Sequence, residues 1–225
     1  MKIDIATASR ERFFYFISKC NEHYRFGHDL VLYRKLIESH RKYANLEKLI
    51  NDDTFLSNLH QTLEKWNMNQ RGAQLASIGD LKNSVRFLKD HLIKLYQYKL
   101  IDGIDNKLNT LKEILEKIFF NIKVMESKRK IVGVSKALHF LLPDLVMPID
   151  GKFTLPAFYG YNKISNTPEK EFTDFWEIFK ETIYITELLE LTSSDADGEL
   201  WNTSVPKLID NAIIGLYKSE EISEG

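Results

Sequence analysis

The stretch Ile131 to Asp150, IVGVSKALHFLLPDLVMPID, sets a lysine and a carboxylate where they can do chemistry. Pro143 ends the helix that carries Lys136, and Pro148 fixes the approach of Ile149 and Asp150. Asp150 then stands at the start of a short helix expected over residues 151–158. An aspartate in that position either caps the helix or faces a groove. In a groove it can stabilise positive charge on a substrate and activate an attacking group. Lys136 has two roles open to it. If it reaches the groove, its amine would be partly desolvated, with a lowered pKa. On the surface it would hold phosphate.

Gly133 lies between two expected short helices, at 126–131 and after Val134, where a tight turn favours a residue without Cβ. The amides of Gly133, Val134 and Ser135 would then be free at a helix start, a ready phosphate site. Lys123, Lys128, Arg129, Lys130 and Lys136 surround the turn, and between Lys123 and Lys136 only Glu126 is acidic. Such a hairpin can grip a DNA backbone without reading sequence, or it can be a basic turn with no ligand.

A second polar segment, WNMNQRGAQLASIGD at 66–80, carries Trp66, Asn67, Asn69 and Arg71. An aromatic ring with amides can stack on a base and read its edge; the alternative is a helix end with Arg71 in an ion pair. Tyr161 and Asn162 follow the Asp150 helix and are further candidates for pocket contacts. His139 is expected to be a satisfied core histidine. Cys20, the one cysteine, sits in FFYFISKC and is expected to be buried and inert. The histidines show no ligand spacing with carboxylates, and there is no P-loop or G-x-G-x-x-G, so neither a metal nor a cofactor is expected.

The elements that must position these residues are helices. Gly (10) and Pro (5) are scarce in 225 residues rich in Leu, Ile, Lys and Glu. Apolar periodicity predicts helices over 8–25, 28–43, from Asp52 or Asp53 to near Trp66, 81–100 capped by Asp80, and 107–120. Further helices are expected up to Pro143, over 169–191 behind Thr167-Pro168, and over 205–217. No strand is expected. The fold class is all-α, an irregular two-lobed bundle of about ten helices forming one domain over 1–225.

The net charge is −1, but it is unevenly spread. Residues 169–225 hold 14 acids and 4 bases, net −10, whereas residues 1–168 hold 18 acids and 27 bases, net +9. A basic body can face a polyanion. No stretch approaches the ~18 apolar residues of a membrane span, and the first residues lack the apolar core of a secretory signal. The expectation is a cytoplasmic monomer with no membrane partner.

The segment 126–162 resembles the helix-hairpin-helix DNA glycosylase superfamily, most closely its archaeal 8-oxoguanine glycosylase-like branch. Ile131-Val132-Gly133-Val134-Ser135 stands for the family's hairpin, with Ser135 in place of its second glycine. Pro148-Ile149-Asp150 stands for the proline-flanked aspartate. The resemblance implies a helix-hairpin-helix element on double-stranded DNA and excision of a modified base flipped into a pocket. The base would be a damaged purine such as 8-oxoguanine, or a hypermodified base in phage DNA. It makes Asp150 catalytic, and Lys136 either a Schiff-base nucleophile with lyase activity or a phosphate contact. Two other readings stand beside it. One is a non-catalytic DNA-binding module that keeps the hairpin; the other is a helical scaffold using its acidic C-terminal face for protein contacts.

Overall fold

A computed structural model of the chain describes residues 2–25, 27–43, 45–70, 72–160 and 167–223. Among these the fold is all-α, with twelve α-helices and no strand beyond an isolated antiparallel bridge between Leu75 and Met125. In chain order they are α1 (Ile3–Ala6), α2 (Arg10–His23), α3 (His28–Tyr43), α4 (Leu46–Asn51), α5 (Asp53–Leu63) and α6 (Ile78–Phe87). They continue with α7 (Lys89–Tyr96), α8 (Leu108–Asn121), α9 (Ile131–Leu141), α10 (Thr154–Tyr159), α11 (Pro168–Leu188) and α12 (Val205–Ser223). No helix among the described residues is long and apolar enough to cross a membrane.

Local chemistry sets the boundaries. Ser9 caps α2, Asp52 caps α5, and Thr167 caps α11 with Pro168 in its first turn. The expected helix over 81–100 is two helices, parted at Leu88. Its cap is Ser77 rather than Asp80. The Ser77 hydroxyl accepts from the Asp80 amide at 3.1 Å and donates to the Asp80 carboxylate at 2.5 Å, so Asp80 is the third residue of a capping pair. The short helices α1 and α4 have no periodic stripe long enough to mark them in the sequence.

The core is continuous and takes residues from every α-helix. Its tightest join is between the ends of the chain, where α2 packs along α12. Gly215 makes this possible: a Cβ there would lie 1.8 Å from the Phe16 carbonyl oxygen. Tyr33 on α3 is fully buried, with its ring near those of Trp66, His139, Phe140 and Trp201. This aromatic group ties α3, the end of α5, α9 and the approach to α12 into one wall.

Candidate active site

Helix α9 is apolar and almost wholly buried, which makes its one lysine informative. The Lys136 ammonium lies 3.3 Å from Asp150 Oδ2 and 5.5 Å above the centroid of the Trp66 ring. The residue is only 6% exposed. Lys136 is thus buried rather than on the surface.

Asp150 is held from three directions. Its Oδ1 accepts from the amides of Lys152 (2.7 Å) and Phe153 (3.3 Å), while Oδ2 faces Lys136. Its own amide donates to Thr154 Oγ1 at 2.9 Å. The preceding Ile149 amide donates to Ser135 Oγ at 3.0 Å, tying the segment to α9. Burial works against the charged carboxylate. The Lys136 charge and the two amides outweigh burial and hold its pKa below the ordinary range. Asp150 is thus at once a turn cap and a pocket anion.

A cavity of about 290 Å³ opens beside this pair. Trp66, Asn67, Trp201, Tyr24, Phe153, Pro148, Lys207 and Asp210 line it together with Lys136 and Asp150. Asn67 stands in the left-handed region (φ 62°, ψ 25°), at a kink with Trp66 where the chain running on from α5 leaves helical geometry. Asparagine tolerates that conformation better than most residues. Trp201 is pinned by a 3.0 Å bond from its indole N–H to the Tyr24 carbonyl.

His139 is fully buried behind the pocket. Its Nδ1 lies 2.8 Å from the Val146 carbonyl and must donate, so Nε2 accepts from the Tyr33 hydroxyl at 3.1 Å. Burial pushes its pKa down to about 3, and the ring is neutral. Cys20 is buried at the pocket edge, and burial pushes its thiol up to about 12. Among the described residues, no three His, Cys, Asp or Glu side chains are gathered to hold a metal ion.

The expected glycine hairpin is built differently. Residues 122–130 form bends rather than a helix over 126–131, and α9 begins at Ile131. Gly133 therefore lies inside α9, not in a turn. A Cβ there would fall 2.3 Å from Met125 Sδ, so the glycine admits a methionine against the helix. Gly133, Val134 and Ser135 are buried, and the Val134 amide is spent on the Lys130 carbonyl at 2.8 Å. They cannot be the exposed amides expected to hold phosphate. The start of α9 already has its anion: Glu171 Oε2 on α11 accepts from the Lys130 amide at 3.0 Å.

Lys130 is half-buried over the rings of Phe119 and Phe120, whereas Lys128 and Arg129 are exposed. Asn69 is exposed and absent from the pocket lining; its side-chain oxygen accepts from the Leu75 amide at 3.4 Å. Arg71, Tyr161 and Asn162 lie outside the described residues.

No family model matches this chain, and neither a curated protein nor a solved structure does. The case for function rests on the site itself. Trp201, Lys207 and Asp210 were missing from the residues singled out in the sequence. A signal for two of them was present, since Lys207, Asp210 and Asn211 fall at i, i+3 and i+4 in the apolar run VPKLIDNAIIGL.

Proposed function

We propose that this protein is a DNA glycosylase that binds double-stranded DNA and excises a modified base. The observation that carries the proposal is the buried Lys136 amine 3.3 Å from Asp150 in an aromatic-walled cavity. At about 290 Å³ the cavity falls at the small end of ligand pockets, ~300–1,000 Å³. That volume suits one flat heteroaromatic ring system and is too small for a duplex, so a base would enter only after rotating out of the helix. Trp66 and Trp201 offer faces for stacking, and Asn67 an amide for reading an edge.

In this reading Lys136 gives up a proton to solvent before its amine closes on the anomeric carbon of the sugar, and Asp150 stays ionised beside it. The glycosidic C–N bond breaks, and its electron pair leaves with the base. The positive charge building on the sugar faces the Asp150 carboxylate. Transfer of a proton from the lysine nitrogen to the ring oxygen then opens the sugar to an iminium on Lys136. Lys136 is preferred as nucleophile over phosphate ligand because it is buried. Lys128 and Arg129, exposed in the bends before α9, are cations available to meet the backbone.

The test is excision on duplexes carrying 8-oxoguanine, uracil or alkylated purines, and on phage DNA with hypermodified cytosines. Wild type and Asp150→Asn run side by side, with hot alkali to reveal abasic sites. The expected result is cleavage with wild type alone and covalent trapping of wild type, not Lys136→Met, by borohydride. Base release by Asp150→Asn at the wild-type rate would overturn the assignment.

One observation favours a second reading. Asp150 spends Oδ1 on two amides, as a purely structural cap would. A non-catalytic DNA-binding module predicts salt-sensitive binding and no base release from any duplex.

A further inference from the structure

The cavity contains a second lysine–aspartate pair for which the scheme above has no use. Lys207 and Asp210 are one turn apart on α12, and the Lys207 ammonium donates to Asp210 Oδ2 and, at 2.8 Å, to Asn211 Oδ1. Each residue is 4% exposed, yet both face the cavity that Lys136 and Asp150 face. A buried ion pair is weak evidence of a stabilising role, because replacing one by well-packed apolar side chains is often neutral or stabilising.

The two carboxyls sit in opposite environments. Asp150 is held low, as described. Burial pushes Asp210 up by more than Lys207 takes back, and the Asp150 charge adds to the rise. Two carboxyls on one cavity, shifted in opposite directions, are the arrangement in which one can serve as anion and the other as acid.

The surroundings leave few competitors. The groups acting on Asp210 or its lysine are Cys20 from α2, Tyr33 from α3, Lys136 and His139 from α9, and Asp150. Lys218 lies further along α12 and acts on Cys20 with them. Burial moves Cys20 to about 12, pushes Tyr33 up and takes His139 to about 3, so none of these three changes charge near neutral pH.

We propose that Asp210 is the general acid that protonates the departing base, with Lys207 the positioning residue that holds its other oxygen. The inference rests on the excision reading. As the glycosidic C–N bond breaks, its electron pair stays on the base nitrogen. That nitrogen takes the proton from Asp210 Oδ1, leaving a carboxylate paired with the Lys207 ammonium. Water returns the proton once the base has left. The product of the step is an ion pair with its partner already in place.

The experiment is a single-turnover pH–rate profile on whichever duplex of the excision panel wild type cleaves. Wild type, Asp210→Asn and Lys207→Met are compared. Wild type should lose rate as pH rises through the pKa of Asp210. Asp210→Asn should be slower by about 10²–10⁴-fold and lack that falling limb. In Lys207→Met the limb should move to higher pH, because the lysine charge no longer opposes protonation. A merely structural pair would alter stability and leave the limb where it is.

If Asp210→Asn does not fold, the Lys207→Met limb decides. So does the carbon-13 shift of labelled aspartate in wild type, which should show one protonated carboxyl near neutral pH. A rate within about threefold of wild type in Asp210→Asn, or an unmoved limb in Lys207→Met, would overturn the inference and leave the excision reading standing. Wild type inactive on the whole panel would overturn both.

Discussion

Gly215→Ala sets two physical effects of opposite sign against each other. Gly215 lies within α12, where alanine is the better helix former by about 1 kcal/mol. Its Cβ, however, would lie 1.8 Å from the Phe16 carbonyl oxygen, 2.7 Å from the Phe16 carbonyl carbon and 3.1 Å from the Cys20 amide nitrogen. Carbon and oxygen ordinarily touch at about 3.3–3.6 Å, so α2 and α12 would have to part by about 1.5 Å. Overpacking costs about 1–3 kcal/mol when side chains can turn aside. Here the obstacle is backbone, which places the cost near the top of that range. The net expectation is a loss of about 2 kcal/mol. At ~2–4 °C per kcal/mol for a chain of this size, Tm falls by about 4–8 °C. Urea and thermal unfolding of the two proteins at one pH would measure it. An unchanged or raised midpoint would refute the close-approach argument and show that helix propensity governs. Because α2 brings Cys20 and Tyr24 to the cavity and α12 brings Lys207 and Asp210, excision should fall by more than the unfolded fraction explains.

Three further expectations follow from buried partners. Ser135→Ala removes the acceptor of the Ile149 amide, one residue before Asp150, and should cost about 1–3 kcal/mol in urea unfolding while lowering excision in the folded protein. Glu171→Ala strips the anion from the start of α9 and should cost about 1–2 kcal/mol, whereas Glu171→Gln, which keeps an acceptor, should cost less; equal losses would show that the carboxylate contributes only packing. His139 is neutral in the fold down to about pH 3, because burial disfavours its charged form, and His40 is shifted the same way. The unfolded chain gains these protons near pH 6.5, so stability is full above that value and falls as pH drops towards 3, by up to about 1.4 kcal/mol per pH unit for each extra proton. His139→Gln should flatten that slope between pH 6.5 and 4, and an unaltered slope would show that other groups set it.

Much of this protein was legible in its sequence because helix signals are local. The 3.6-residue apolar stripes, the caps at Asp52 and Thr167, and the stop before Pro143 depend on neighbours a few residues away, and the structure has them at those positions. The all-α class followed from the same signals. The approach to Asp150 was legible for a like reason, since Pro148 is a chain neighbour, although residues 151–153 form a turn and the short helix begins at Thr154 rather than at 151. What failed were inferences that treated a local motif as if it fixed its surroundings. Gly133 looks like a turn residue, but Met125 packs against the helix where its Cβ would be. The amides of Gly133, Val134 and Ser135 look free until α9 is seen to start at Ile131, and the start of that helix is met by Glu171, some forty residues on, through the Lys130 amide.

Tertiary structure alone decided which charges share the cavity. Whether Lys136 faced Asp150 or the solvent turned on about 100° of rotation around α9, an angle fixed by how the whole apolar face of that helix packs. Lys207 and Asp210 reach the same cavity only because α12 closes against α2 with a glycine between them, bringing the two ends of the chain together. A sequence fixes the type and spacing of its polar groups along one helix. Packing between helices distant in the chain determines which of those groups meet, and their surroundings then shift the Asp150 carboxyl down, through Lys136 and two amides, and Asp210 up, through burial.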